Sequence, residues 1–359
     1  MGQLYEGRET LTGIAEEATF KTRLTDSDTF TVIKGEPVEV DQDVKVYEVP
    51  GATGGKSPVY DHTFTNTSGS TPRIALNGAL SVYEIDLLLA ATFQEVTEVA
   101  TGTATKIFVP FTGVQPDFES ATLGTTAADA YALTVIKAFP VAATSWAFTS
   151  CIGESLKISA ERDSYAKFEC GLISLIETER DSTAHEDATW ERGLIAPGGT
   201  DGRATDYGMK FFHDISGATI AYNGGGAVAA AIQSFSIEYT QEVTGEEPDG
   251  SGAFDNYGII NRGGTGEIVL LKDSVVESAL TNWETNGFIE FIVRWGSAGA
   301  TANLEFQMTV TGKITDISFD ESGLIGATIA FNLAAADVDS DMIEVILSNT
   351  ITRIWPAPA

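Results

Sequence analysis

Basic residues are scarce in this chain of 359 residues. Lysine and arginine together number 21, against 51 aspartates and glutamates, which gives a formal net charge of −30. Only 20% of the residues are charged, so the imbalance comes from missing bases rather than from dense runs of acid. A protein that grips nucleic-acid phosphates or an anionic membrane surface needs a basic stripe. The composition therefore argues against both kinds of binding.

Cysteine, histidine and long apolar runs are also in short supply. Two cysteines argue against a disulfide scaffold, and we interpret Cys151 and Cys170 as small apolar fillers, with a disulfide as the less favoured alternative. Three scattered histidines argue against a histidine-built metal site. The most apolar stretch, 132–148, is broken by Lys137 and Pro140 and is too short to span a membrane. With no targeting segment visible, we expect a soluble protein made in the cytoplasm.

Most of the chain has the residue pattern of β-strands. Thr, Val, Ile, Phe and Tyr are abundant and are punctuated by Gly and Asp/Asn clusters. Leu156–Ala160 and Ser234–Thr240 alternate strictly between apolar and polar residues, which predicts strands with one face on a core. Lys45–Val49 and Val59–Phe64 flank a Pro/Gly loop and predict a hairpin. The fold class predicted from these patterns is mainly β.

Two segments predict helices and give the first sign of a duplication. Ser81–Phe93 and Ser274–Asn286 each open with the capping-box pattern Ser-x-x-Glu, and the second ends at a natural C-cap, Asn286 followed by Gly287. Superposed at an offset of 193 residues, they share several positions, and the strands that follow them also match. We expect two tandem β-sandwich or barrel-like domains with one helix each. Chance similarity between β-rich segments is the alternative.

The match also predicts the domain boundaries. They are a first domain at 1–181 with an insertion at about 94–129, a linker at 182–205, a second domain at 206–350 and a C-terminal extension at 351–359. The insertion contains a predicted hairpin over Thr97–Phe111. The linker is rich in glycine and is longer than most connections inside one compact domain.

Motifs that would carry catalysis or metal binding are incomplete. Gly51–Ser57 has Pro50 where a phosphate loop needs glycine, and Pro58 follows at once, so a hairpin loop is favoured. Asp337–Asp341 lacks the glycine and the final glutamate of a calcium loop, which leaves an acidic turn or weak, incidental calcium binding. His185 stands beside two carboxylates, but within the predicted linker. We expect no enzyme, no cofactor and no metal site.

The stretch Trp146–Cys170 resembles the terminal hairpin of the tail tube (major tail) proteins of tailed bacteriophages. That family runs an aromatic strand into a small Thr-Gly-Cys-like turn. Here the turn is Thr149–Cys151, with Ser150 where glycine is usual, while the second copy, Thr311–Lys313, has the glycine. Scattered similarity covers roughly residues 36–345 and includes the segments Arg73–Leu80, Gln233–Tyr239 and Ile259–Ile268.

The resemblance implies a β-sandwich with one helix per domain and a structural role in the virion tail. Domains of this kind ring together, join inner strands into a continuous lumenal barrel and stack into a tube. The tube holds the tape-measure protein and later passes DNA without binding it specifically. The tail terminator and baseplate proteins are further expected partners, and no membrane is involved.

Two sets of candidate site residues follow from this interpretation. The candidate lumen residues are acids of the two terminal hairpins, whose carboxylates would repel DNA phosphates; an ordinary solvated outer face is the alternative for each. They are Glu154, Glu161, Glu169, Asp316 and Asp320. The candidate ring-stacking residues lie in two long hairpin loops at corresponding positions in the two halves. They are Pro50, Gly54, Lys56, Glu246, Glu247, Asp249 and Phe254.

Duplication also bears on the symmetry of the assembly. If a ring needs about six tube domains, two per chain predict three chains with pseudo-sixfold symmetry. The alternative is six chains, each with one domain in the wall and one displayed outside. Two other functions stay open at this point. One is another virion ring or surface protein, such as a tail terminator, baseplate or capsid decoration protein, and the other is a polysaccharide-binding module or hydrolase.

Overall fold

Strands dominate the part of the chain that the structure, a computed structural model, describes. The described residues are 11–19, 29–33, 39–41, 45–48, 63–66, 72–98, 105–111, 130–139, 144–174, 179–181, 189–191, 210–246, 256–271, 278–281, 287–296, 305–320, 326–336 and 341–349, with the single residues 22, 24, 115, 116 and 118. The chain is mainly β and contains a large antiparallel sheet, which confirms the predicted fold class.

The elements run as follows in chain order. The strands are β1 (Leu11–Glu16), β2 (Thr29–Val32), β3 (Glu39–Asp41), β4 (Lys45–Glu48), β5 (Thr63–Asn66), β6 (Arg73–Ala79), β7 (Gln94–Glu98), β8 (Thr105–Pro110), β9 (Leu133–Phe139), β10 (Thr144–Glu161), β11 (Lys167–Ile173), β12 (Glu179–Asp181), β13 (Thr189–Glu191), β14 (Ile215–Tyr222), β15 (Val228–Ala229), β16 (Ile232–Glu246), β17 (Asn256–Leu271), β18 (Phe288–Trp295), β19 (Glu305–Asp320), β20 (Gly326–Leu333) and β21 (Ile343–Ser348). Helix α1 spans Ile85–Phe93, a 3-10 turn covers Phe212–Asp214, and residues 278–281 are helical.

Several local predictions are confirmed. The two alternating segments lie within β10 and β16, where their apolar side chains are buried. The predicted hairpins exist, as β4 pairs with β5 and β7 pairs with β8, although β5 begins later than predicted. Cys151 and Cys170 are free thiols buried in the core, as expected of apolar fillers.

Two local predictions are wrong. The first helix begins at Ile85 rather than Ser81, because the Ser81 hydroxyl accepts the N–H of Tyr83 at 3.3 Å instead of forming a capping box. The predicted turn Thr149–Cys151 is a bulge inside the continuous strand β10, and Ser150 adopts a φ of 54° there. Of the second predicted helix, only residues 278–281 lie within the described part of the chain, and they are helical.

Eight of the described strands form the antiparallel sheet that we call the central sheet. Their order is β3, β6, β11, the second part of β10 (152–161), β16, β17, β20 and the second part of β19 (312–320). The first four strands come from the first half of the chain and the last four from the second half. The two halves meet where β10 pairs with β16, from Ser155 opposite Thr240 to Glu161 opposite Ser234.

A second sheet, the back sheet, covers one side of the central sheet. It contains β15, β14, β18, the first part of β19 (305–313), β21, β8 and β7. The core lies between the two sheets, where Phe235 of β16 contacts Phe291 and Trp295 of β18 with ring centroids 5.7 and 6.0 Å apart. Each fully buried side chain of this kind contributes about 1.5–3 kcal/mol to stability.

Helix α1 lies inside the core and all of its residues are buried, including Asp86, whose carboxylate lies 3.7 Å from the Lys106 ammonium. Its last four carbonyl groups have no partner within the helix and must find one elsewhere. The Gln94 N–H donates to Ala90 and its side chain to Ala91, while the Phe111 N–H donates to Phe93. The remaining carbonyl, that of Thr92, accepts the side-chain N–H of Gln241, from the other half of the chain.

Gln241 therefore ties the helix to the junction between the halves. Its Nε2 donates to the carbonyls of Thr92 at 2.9 Å and Gly153 at 2.6 Å, and its Oε1 accepts the Tyr239 hydroxyl at 3.0 Å. The approach is close because residue 153 is glycine, since a Cβ there would collide with Thr92.

We expect Gln241→Ala to lower the free energy of unfolding by at least about 3 kcal/mol. The change leaves two carbonyls and a hydroxyl without their partner in a buried site, at about 1–3 kcal/mol for each unsatisfied group. Chemical denaturation of the purified variant measures the loss. Thr240→Ala, at the exposed neighbouring position, is the control and should change stability by no more than about 0.5 kcal/mol. Equal effects of the two changes would contradict this role for Gln241.

A buried carboxyl group, that of Glu17, lies beside the bulge of β10 at Ser150. Glu17 accepts hydrogen bonds from the Thr134 hydroxyl at 2.7 Å, the Ser150 N–H at 2.7 Å and the Ser150 hydroxyl at 2.9 Å. Burial disfavours the charged form and raises the pKa of Glu17 from 4.5 to about 7, against the opposing effect of these hydrogen bonds. Glu17 therefore binds its proton more tightly in the folded chain than in the unfolded chain.

We expect this group to make stability depend on pH between about 4.5 and 7. Because the folded pKa is the higher one, the contribution is fully present below pH 4.5 and is lost as the pH rises through 7. Relative to Glu17→Gln, the wild-type chain should lose about 3 kcal/mol of stability between pH 4 and pH 8. Denaturation series at several pH values measure this difference. A stability difference between wild type and Glu17→Gln that stays flat from pH 4 to pH 8 would contradict the assignment.

The two halves of the chain share hydrogen-bonded sheets at more than one place. Besides the β10–β16 junction, β21 of the second half pairs with β8, which lies in the predicted insertion. Strand β13 falls within the predicted linker and pairs in parallel with β2. The predicted domain boundaries stay a prediction, and the extension at 351–359 lies outside the described residues.

Candidate functional surface: the open face of the central sheet

The two faces of the central sheet differ because its strands alternate. Along β10, for example, Leu156, Ile158 and Ala160 are at most 4% exposed, whereas Ser155, Lys157 and Ser159 between them point away from the core. Strands β6 and β11 alternate in the same way, with the polar positions half-buried or exposed. Because paired residues share a face, these outward positions form one continuous surface across the sheet, which we call the open face.

Small hydroxyl-bearing side chains are the largest group on the open face. They are Ser155, Ser159, Ser234, Ser236, Thr240, Thr265, Ser318 and Thr328. Among the described side chains, five carboxylates and four bases accompany them. These charged residues are Glu161, Glu169, Glu238, Glu267 and Asp316, with Arg73, Lys157, Lys167 and Lys313. The large negative charge of the chain is therefore not concentrated on this face.

The predicted lumen residues fall on or beside the open face. Glu161, Glu169 and Asp316 are exposed there. Glu154 is the extra residue of the β10 bulge, and its half-buried side chain reaches Arg73 on β6. Asp320 ends β19, opposite Gly326 in the register, and its side chain lies outside the described part of the structure. The fold brings the acids of both terminal hairpins into one sheet, as the lumen hypothesis requires.

Bases that the sequence analysis did not consider accompany these acids. Arg73 donates to Glu154 at 3.1 Å, and the Lys157 ammonium lies 3.5 Å from the Glu169 carboxylate. In the register, Lys157 also stands opposite Glu238 on β16. Exposed pairs of this kind add little stability, about 0–1 kcal/mol each. Their consequence is electrostatic, because each pair offsets a base that would otherwise attract an anion.

The predicted ring-stacking residues fall almost entirely outside the described part of the chain. Glu246 is the last residue of β16, and the strand therefore extends further into the predicted loop than the sequence indicates. The other predicted residues, Pro50, Gly54, Lys56, Glu247, Asp249 and Phe254, lie outside the described residues.

Glycines in the second half shape the buried side of the same sheet. A Cβ at Gly266 or at Gly312 would collide with the ring of Phe331, which lies across β17, β20 and β19. Gly264 has a φ of 157°, and a Cβ there would strike the carbonyl of Glu238 on the neighbouring strand. Close packing therefore accounts for Gly264 and Gly266, whereas a Cβ at Gly263 would meet nothing within 4 Å.

The central sheet ends in two margins. On one side β3 pairs with β6, and no further strand lies beyond it among the described residues. On the other side, residues 314–320 of β19 pair with β20 only, within the same limits. Phe319 lies on this second margin, faces the core side of the sheet and is 40% exposed.

The described residues give little support to a metal site or to a deep ligand pocket. They contain no group of three or more His, Cys, Asp or Glu side chains placed to hold a metal ion. Two shallow hollows lie on the open face itself, one beside Glu161 and Lys167 and the other beside Lys157 and Glu169. No helix among the described residues is long and apolar enough to cross a membrane.

Comparison with known proteins adds no assignment to this geometry. No family model matches the chain, and no curated protein matches it.

Proposed function

We propose that the chain is a structural virion protein that polymerises into stacked rings and forms the tail tube of a bacteriophage, a conduit for DNA during ejection. One observation carries the proposal. Four strands from each half of the chain join in one antiparallel sheet, with one face on the core, an open polar face and, among the described residues, an unpaired margin at either end. Unpaired sheet margins are hazardous in a solitary protein, but they suit a subunit that assembles by extending its sheet.

Simple geometry supports a ring of three chains. With eight strands from each chain, three copies bring 24 strands into one closed wall, whose circumference is about 115 Å at a strand spacing of about 4.8 Å. The backbone diameter is then about 37 Å before strand tilt, which widens it. Barrels of 16–18 strands already leave an aqueous channel, so a wall of this size leaves room for duplex DNA. The junction of the two halves in one sheet favours this ring over six chains.

The chemistry of the open face suits a lumen through which a polyanion slides. Release of counterions from phosphate contacts drives non-specific DNA binding, and such contacts need accessible bases. Of the four described bases on the open face, Arg73 and Lys157 lie beside carboxylates. The five described carboxylates outnumber these bases, and hydroxyl groups form the largest group of side chains there. The same surface would contact the tape-measure protein before ejection. The virion tail is the proposed location, reached after assembly in the host cytoplasm, with the terminator and baseplate proteins as neighbours.

Negative-stain electron microscopy of the purified chain over a range of concentrations tests this function. The proposal predicts rings with a central channel that stack into tubes. Single rings that never stack would favour a tail terminator or baseplate role. A chain that stays monomeric at every concentration would contradict both.

A further inference from the structure

The β10–β16 pairing, which joins the two halves of one chain, is a model for a pairing between strands of two copies of the chain. At this junction β10 and β16 pair over seven residues, from Ser155 to Glu161 on β10. The facing core side chains are closely covered: Ile158 is 2% exposed and Ile237, directly opposite, is 1% exposed. The junction thus completes both the hydrogen-bond ladder and the apolar layer beneath the sheet.

The margin formed by β19 repeats the features of β10. Each of these long strands has a bulge where it enters the central sheet, between Gly153 and Ser155 in β10 and between Ile314 and Asp316 in β19. When the two bulges are aligned, each residue of β10 corresponds to the residue of β19 that lies 161 positions later in the chain. Ile158 then corresponds to Phe319. Ile158 is covered by the neighbouring strand, whereas Phe319 is 40% exposed at the margin. Phe319 therefore occupies the position of a junction residue, but no neighbouring strand covers it among the described residues.

The margin formed by β3 corresponds in the same way to β16. Strand β6 pairs with β11 as β17 pairs with β20, and β3 pairs with β6 as β16 pairs with β17. When the bulges are aligned, Ser155 corresponds to Asp316. Their partners on the next strand and the one after it then correspond as well, so that Ala75 of β6 matches Glu267 of β17. Their partners Glu39 and Ser236 then correspond, and so do Val40 and Ile237.

We infer that β19 of one copy pairs with β3 of a second copy, in the register that places Phe319 opposite Val40 and Ser318 opposite Asp41. The inference rests on the proposed function and deepens it by naming the strands and the register that close the ring. Direction agrees, because the eight strands alternate and β19 runs opposite to β3, as the antiparallel junction requires. The register also places Asp320 opposite Glu39.

Disulfide trapping tests the register in the full-length chain. Directly opposed residues of an antiparallel pair have Cα atoms about 4.5–5.5 Å apart, which a disulfide can span. Within one chain the two margins are seven strand spacings apart, about 34 Å along the sheet, so a bond must join two copies. The native thiols Cys151 and Cys170 are buried and do not compete. The test variant is therefore Ser318→Cys with Asp41→Cys.

The matched control is Ser318→Cys with Val40→Cys. A shift of one residue along a strand moves the second thiol to the other face of the sheet. After mild oxidation, we expect the test variant to give a ladder of linked chains that ends at the trimer. Its linked fraction should be at least tenfold higher than that of the control.

The possible results separate this inference from the proposed function. Rings or tubes that form normally, with linkage absent or equal in both variants, would overturn the register and leave the tube proposal standing. Specific linkage in rings that never stack into tubes would support the junction and overturn the tube. A chain that remains monomeric, with neither assembly nor linkage, would overturn both.

Discussion

Phe319→Lys should abolish assembly while leaving the chain folded. Within the single chain the side chain is 40% exposed, so the change removes only part of its packing and costs about 1–2 kcal/mol. At a junction between copies the same position corresponds to buried Ile158, and a lysine there must lose its hydration. We expect each junction to weaken by about 3 kcal/mol, or roughly a hundredfold in its dissociation constant.

Two further variants separate this effect from a general change of surface charge. Val228→Lys introduces the same charge in place of another exposed apolar side chain, on β15 of the back sheet, and should leave assembly unchanged. Phe319→Leu retains an apolar side chain at the margin and should assemble. Analytical ultracentrifugation measures the oligomers, and circular dichroism verifies the fold. Normal assembly of Phe319→Lys would remove this margin from the interface.

Charge reversal on the open face should make the tube retain DNA. The triple exchange Glu161→Lys, Glu169→Lys and Asp316→Lys changes the charge of each chain from −30 to −24 and adds three bases to the proposed lumen. Glu169→Lys also removes the carboxylate that lies beside Lys157. Phosphate contacts with such bases repeat in every ring along the tube. We expect DNA ejection to slow by at least about tenfold and the effect to fade as salt rises, because each contact releases a counterion.

The matched control places the same charge change on other surfaces. Asp214→Lys, Glu290→Lys and Glu344→Lys alter residues of the back sheet and of the 3-10 turn beside it, outside the open face. Tubes of both triple variants should assemble, and only the open-face variant should retain duplex DNA at low salt. Equal retention by both variants, or by neither, would remove the open face from the lumen.

Local sequence patterns predicted where strands lie better than they predicted where strands and helices begin and end. The alternation of Leu156–Ala160 and of Ser234–Thr240 sufficed to predict which side chains are buried, because successive side chains of a β-strand point to opposite faces of the sheet. Ser81 misled the helix prediction, since a hydroxyl can satisfy several nearby N–H groups and here serves Tyr83. Ser150 was read as a turn because a positive φ occurs both in turns and in bulges.

The sequence patterns could not predict contacts between residues that are far apart in the chain. Gln241 is an ordinary polar residue in the sequence, yet it bonds to Thr92 and Gly153 across the junction of the halves. Glu17 is one of many acids, and only the fold around Ser150 makes it a buried one. The partners of the candidate lumen acids were missed for the same reason, because Arg73 and Glu154 are 81 residues apart.

The proposed duplication gains support from pairing rather than from residue identity. Both halves place a hairpin, a return strand and a long bulged strand side by side in the central sheet, in the same order. The β10–β16 junction joins these two four-strand sets. A ring of three chains would repeat that junction at every second boundary and the proposed β19–β3 pairing at the others. Pseudo-sixfold symmetry then follows from the similarity of the two kinds of junction.

A cryo-electron microscopy reconstruction of the assembled particle, at a resolution that separates strands, would show whether both halves of each chain contribute to one inner wall. We predict a threefold ring whose inner wall is a closed antiparallel barrel, with eight strands from each chain and the hydroxyl-rich face turned towards the channel. A wall built from four strands of each of six chains, or an assembly without a channel, would contradict the account.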